Sequence, residues 1–195
     1  KNWEEDLIPR LIDLASKRKL KDLDIGPVLT WTNPQMREHI DALLKISGSK
    51  LLLGGKELTN HSIPSMYGSL EPTAIQIPLE AFLTDDFKKI TKEVFGPFQI
   101  VVVYTDKEIG LVKDVLEKIT QNLTAAIVSN DAFFQQDLLA NTVNGTTYTG
   151  MKARTTGAPQ NHWFGPSGDP RSAGIGTPEA IINTWSSHRE IIKDV

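Results

Sequence analysis

Glu93 and Phe95 stand two residues apart, just ahead of Gly96-Pro97 and the apolar stretch Phe98-Gln99-Ile100-Val101-Val102-Val103-Tyr104. Side chains two apart in an extended segment point the same way, so a carboxylate, which only accepts hydrogen bonds, would sit beside an aromatic ring before a forced turn. On residue types alone the pair is a surface carboxylate next to an aromatic core anchor. Gly157-Ala158, with Phe164-Gly165 shortly after, is a second candidate. A glycine-containing turn can aim consecutive backbone N–H groups at an anion, although by spacing alone this one is an ordinary tight turn. Other chemistries find less support. The chain has no cysteine, which removes a disulfide framework and a thiolate metal site together. His39, His61, His162 and His188 show no metal-ligand spacing. Gly174-Ile175-Gly176-Thr177-Pro178 lacks the third glycine and the preceding strand of a dinucleotide fingerprint, and is assigned no phosphate. Arg171 reads as an exposed loop arginine, paired to Asp169 or to nothing.

These residues need a scaffold, and the composition allows one. A chain of 195 residues that is 39% hydrophobic can bury a real core in one domain, or in one domain with a small appendage. The net charge of -3, with both signs interspersed, argues against a nucleic-acid surface, which needs a concentrated basic face. Lys17-Arg18-Lys19-Leu20-Lys21 is the local exception, and reads as the solvated end of the first helix. No stretch approaches the roughly 20 apolar residues that span a bilayer, so a membrane partner is not expected. The chain opens at Lys1 directly into Trp3, Leu7, Ile8, Leu11 and Ile12, with no signal-like segment. That start reads as one inside a longer protein, with any targeting sequence upstream. The sequons at Asn60, Asn122 and Asn144 read as chance matches, because no disulfide chemistry accompanies them.

The apolar residues alternate between helical and extended periods. A helix is predicted over about Trp3–Lys19, then another opening at Asn33-Pro34, with Asn33 as the cap. Met36, Ile40, Leu43, Leu44 and Ser47 share one face of that second helix, and Gly48 ends it. Lys50–Leu53 reads as a short buried strand closed by Gly54-Gly55, and Thr73–Pro78 as another. After the strand Gln99–Tyr104, Asp106 caps a helix bearing Ile109, Val112, Leu116 and Ile119. Thr124–Ser129 is continuous enough for an interior parallel strand. A helix from about Asp131, bearing Phe133, Phe134, Leu138 and Leu139, then leads to a possible strand at Thr146–Tyr148. This order implies an α/β fold: an open, mostly parallel twisted sheet with helices on both faces. Thr155–Pro178, dense in glycine and proline, is a candidate functional loop, and Trp185–Val195 a C-terminal extended segment.

Several short motifs share one order with a known family. Ile25-Gly26-Pro27-Val28, Leu53-Gly54-Gly55, Glu71-Pro72-Thr73, Lys92-Glu93-Val94-Phe95-Gly96-Pro97-Phe98, and the loop from Phe164-Gly165-Pro166 to Ala173-Gly174-Ile175-Gly176 together resemble the aldehyde dehydrogenases. Lys92 replaces the first glutamate of that family's pattern, and Ala173 stands where it has serine. The resemblance implies that Glu93 accepts hydrogen bonds from the ribose hydroxyls on the nicotinamide side of NAD, and that Phe95 packs beside the nicotinamide. Thr156-Gly157-Ala158 and Phe164-Gly165 resemble the aldehyde-anchor region of the Δ1-pyrroline-5-carboxylate dehydrogenases, which oxidise glutamate γ-semialdehyde to glutamate in proline catabolism. Gly157 and Ala158 then anchor the substrate's α-carboxylate and Phe164 packs on its aliphatic part. The string from His162 to Arg171 is most similar to the plant-type branch.

The same resemblance implies residues 1–184 as a portion of a catalytic domain and 185–195 as a segment that pairs into a homo-oligomer. It implies a mitochondrial matrix location and an NAD cofactor. The family attacks its aldehyde with a cysteine thiolate, absent here, so no catalytic residue is assigned and the isolated chain is expected to be inactive. The alternatives are a non-catalytic dimerisation or regulatory piece, or an aldehyde dehydrogenase for a different aldehyde.

Overall fold

In the computed structural model, residues 3–22, 24–120, 122, 124–154, 191 and 193 are described. The chain divides into two compact units, Lys1–Glu108 and Ile109–Val195.

The first unit opens with a π-helical turn at Trp3–Leu7 that runs into α1, Ile8–Ser16. The acidic Glu4, Glu5 and Asp6 suit its N-terminal end. Helix α2 spans Asn33–Leu44 and buries Met36, His39, Ile40 and Leu43 on one face. Its cap is Thr32 rather than Asn33: the Gln35 side-chain oxygen accepts from the Thr32 backbone N–H at 2.9 Å and from its hydroxyl at 3.0 Å. Pro34 therefore sits one position further into the first turn, where its missing N–H is still harmless. The helix ends at Leu44, before Ser47 can join its face, and Gly48 turns the chain at φ +79°.

Strand β1, Lys50–Leu53, is not buried as expected. It is the outer strand of the order β1-β2-β3, and Leu51 is 43% exposed. An apolar run does not distinguish an edge from an interior place. Gly54 and Gly55 close it at φ +71° and +84°. Strand β2, Thr73–Gln76, is the middle strand, with Thr73, Ala74 and Ile75 buried. It runs antiparallel to β1 and parallel to β3, Phe98–Val101. The crossover between β2 and β3 contains a 3-10 turn, Leu79–Leu83, and the short α3, Phe87–Ile90. Leu79, Ala81, Phe82 and Ile90 pack into the core from it.

In the second unit, α4 spans Ile109–Lys118, after a 3-10 turn at Asp106–Glu108 that closes the first unit. Thr105, not Asp106, makes the capping contact: its N–H and hydroxyl both reach Glu108 Oε2, at 2.7 and 2.6 Å. Strand β4, Thr124–Ile127, pairs in parallel with β5, Thr146–Thr149, through α5, Ala132–Ala140. Asp131, about where the helix is expected to begin, caps α5, accepting from the N–H groups of Phe133 and Phe134 at 2.9 and 3.1 Å. Phe133, expected on the helix's apolar face, is 85% exposed. No helix among the described residues is long and apolar enough to cross a membrane.

Candidate nucleotide-side surface

The motif residues of the first unit meet around the start of β2. Thr73 donates its backbone N–H to the Pro97 carbonyl at 2.8 Å, and its hydroxyl accepts from the Gly55 N–H at 2.8 Å. A methyl at Gly54 would run into the Pro72 carbonyl oxygen, so the double-glycine turn can follow β1 only without side chains there. Gly96 lies on Val28, whose Cγ2 would be 2.5 Å from an added Cβ. Val28 in turn exchanges two 2.8 Å backbone hydrogen bonds with Gly68. Four sequence motifs spread over more than sixty residues, from Gly26-Pro27-Val28 to Phe95-Gly96-Pro97, are thus parts of one contact network.

Within the 92–98 segment, Val94 is buried at 7% exposure while Glu93 and Phe95 on either side face solvent. The alternation holds, and Phe95 at 72% exposure is not the core anchor that residue type alone suggested; Val94 is. Among the described residues none donates to the Glu93 carboxylate. The site can therefore offer an open acceptor for a pair of hydroxyls and, two residues on, a ring for a planar group to lie against. The cavities lined by Ile12, Arg18, Leu53, Gly54 and Glu71, about 360 Å³, and by Lys19, Lys21, Asn60 and His61, about 1080 Å³, lie elsewhere in this unit, and neither is lined by Glu93 or Phe95. No three His, Asp or Glu residues among those described form a group fit to hold a metal ion.

Sequence reasoning missed what stands behind the loop. Trp31 donates its indole N–H to the Glu93 carbonyl at 3.2 Å, and Lys92 Nζ lies 4.6 Å from the centre of the Trp31 ring. His39 is buried with its ring centre 5.3 Å from that of Trp31 and 5.9 Å from that of Phe98. Among the described residues its buried Nε2 has no hydrogen-bond partner. Burial, followed by the charges of Lys92 and Lys89, holds the His39 pKa below its ordinary value, which favours the neutral ring. The available signal was spacing: position 39 is three after Met36 and four before Leu43, on the apolar face. Gly157, Ala158 and Phe164 lie outside the described residues.

No protein-family model matches the chain. It is 60% identical over 196 residues to the mitochondrial delta-1-pyrroline-5-carboxylate dehydrogenase 12A1 of Arabidopsis thaliana, covering 99% of this chain and 35% of the relative. It is 58% identical to a probable aldehyde dehydrogenase of Linum usitatissimum, covering 100% of this chain and 36% of that one. Over its whole length the chain is homologous to part of an aldehyde dehydrogenase. It spans about a third of the length of these curated relatives. Solved aldehyde dehydrogenases share the fold. The glyceraldehyde-3-phosphate dehydrogenase of Methanocaldococcus jannaschii, complexed with NADP, aligns with a TM-score of 0.67 at 17% identity, over 90% of this chain and 35% of that one. The NAD+ complex of an aldehyde dehydrogenase from Bacillus cereus aligns at 0.61 and 17%, over 94% and 35%.

Proposed function

We propose that this chain is the part of a glutamate γ-semialdehyde dehydrogenase, acting in proline catabolism, that builds the nicotinamide-side wall of the pocket and the anchor for the substrate's carboxylate. The observation that carries the reading is the loop at 93–95, where a buried valine leaves a carboxylate with no donor among the described residues and an aromatic ring exposed on either side of it. The 60% identity to a delta-1-pyrroline-5-carboxylate dehydrogenase supports this substrate over other aldehydes.

The residues fit one end of a nicotinamide dinucleotide. Glu93 accepts from the two ribose hydroxyls, and its charge strengthens both bonds. Phe95 restricts the plane of the nicotinamide. When bound, NAD supplies the acceptor for the hydride that leaves the aldehyde carbon. The chain's own part is geometric, because an acceptor held at a fixed angle lowers the barrier by orientation. Gly157 and Ala158 donate backbone N–H groups to the substrate α-carboxylate, and Phe164 covers its methylenes. NAD is the proposed dinucleotide, as the motif resemblance implies, and residues 185–195 are assigned to pairing in a homo-oligomer. The mitochondrial name of the Arabidopsis relative supports a matrix location.

The nucleophilic cysteine lies on residues outside this chain, which contains none. The isolated 195-residue chain is therefore expected to form no NADH from glutamate semialdehyde, and measurable turnover would overturn this placement of the chemistry. In the full-length enzyme, an aldehyde of similar length without the α-carboxylate should lose roughly tenfold or more in kcat/KM. Equal efficiency on both would remove the carboxylate anchor.

A further inference from the structure

The loop that presents Glu93 and Phe95 is fastened at both of its ends by one aromatic column. Lys92, at its start, covers one face of Trp31. Trp31 meets His39, and His39 meets Phe98 at the loop's end, where β3 begins. The column also grips the loop's backbone, since the indole N–H of Trp31 is bound to the carbonyl of Glu93 itself. The Trp31 backbone lies close against Gly68. A Cβ at Gly68 would stand 2.7 Å from the Trp31 carbonyl oxygen and 2.5 Å from Met36 Cε, so Gly68 lets the tryptophan backbone press against the unit's core. His39 comes from α2, whose buried face anchors the column from below.

We propose that Trp31 is a positioning residue for the Glu93 loop, setting where the carboxylate meets the nicotinamide ribose, a role that rests on the nicotinamide-side reading of Glu93. The indole N–H fixes the carbonyl of the same residue whose side chain accepts the hydroxyls. Rotation of that peptide would swing the carboxylate. Lys92 assists by holding the ring face-on, through an attraction between its ammonium and the π-cloud. A loop without the indole would still bind the dinucleotide but present the ring at a wider spread of angles, which slows hydride transfer more than it weakens binding.

The test is made in the full-length enzyme. Trp31→Phe keeps an aromatic ring and removes the N–H. It should lower kcat roughly threefold to tenfold, and leave KM for the aldehyde within about twofold. It should also enlarge the deuterium isotope effect on kcat when the aldehyde carbon carries deuterium. Loss of packing alone would shift the melting temperature without enlarging the isotope effect. Lys92→Met, at an exposed position, should move kcat and the isotope effect in the same direction by less. Glu93→Gln, measured alongside, separates the outcomes. If it slows hydride transfer while Trp31→Phe and Lys92→Met do not, Trp31 has no positioning role and the reading of Glu93 stands. If Glu93→Gln itself transfers hydride at the parent rate, the reading of the loop falls, and the role of Trp31 falls with it. Should Trp31→Phe fail to fold, Lys92→Met decides: an unchanged kcat and isotope effect overturn the proposal.

Discussion

The described residues of the chain's two units differ in how much of their apolar surface they keep out of water. Among the described residues the first buries Val28, Leu43, Ile75 and Ile77 completely, with Met36, Leu70, Leu79, Phe82 and Ile90 around them, whereas the second buries only Val115 and Ile127 of its apolar side chains. Its described strands, β4 and β5, are parallel to each other, an arrangement usually covered on both faces. Val128 and Leu139 instead remain substantially exposed there. The difference bears on function. The Glu93 loop is seated on a unit with a core of its own, so its geometry is set by contacts within residues 25–98, while the second unit's described residues offer few buried contacts that would set theirs.

The largest effect that would sharpen this contrast is a truncation in the middle strand. Ile75→Ala removes a fully buried side chain from β2 and should cost about 2–5 kcal/mol in denaturant unfolding. Leu139→Ala, at a residue 44% exposed in the second unit, should cost about 0.5 kcal/mol or less. Equal losses would erase the distinction between the units.

A smaller effect comes from His39. The folded state holds its pKa below the ordinary value of 6.5, chiefly through burial, so as pH falls the unfolded chain takes up the proton first. Stability from this source is full above about pH 6.5 and is lost as pH drops through the folded value. The melting temperature should therefore fall between about pH 7.5 and about pH 5.5, and His39→Phe, which keeps the ring and cannot titrate, should flatten that fall. A slope unchanged by the substitution would mean that the buried ring does not stay neutral.

Much of this architecture could be read from residue spacing, and the misreadings have particular causes. The face Met36-Ile40-Leu43 emerges from the helical period, and His39, weighed only as a metal ligand, is left off that face because its type is polar. At both helix starts the threonine one residue before the expected cap makes the contact. The Thr32–Gln35 and Thr105–Glu108 pairs carry the T-x-x-Q and T-x-x-E spacing in plain view, while Asn33 and Asp106 are the more familiar cap types. The apolar run Leu51–Leu53 could not announce that it lies at a sheet edge, because edge position depends on pairing with residues far along the chain. Glu93 and Phe95 were legible as a pair through the period of an extended chain. The column of Trp31, Lys92, His39 and Phe98 was not, since it joins positions up to 67 apart.

The most direct measurement is the single-turnover rate of hydride transfer in the full-length enzyme carrying Glu93→Gln, with NAD and glutamate semialdehyde saturating. The carboxamide keeps the side chain's size and removes its charge, so a rate roughly tenfold to a hundredfold below the parent is expected, at an unchanged melting temperature. A variant that transfers hydride as fast as the parent would contradict the nicotinamide-side role of this loop.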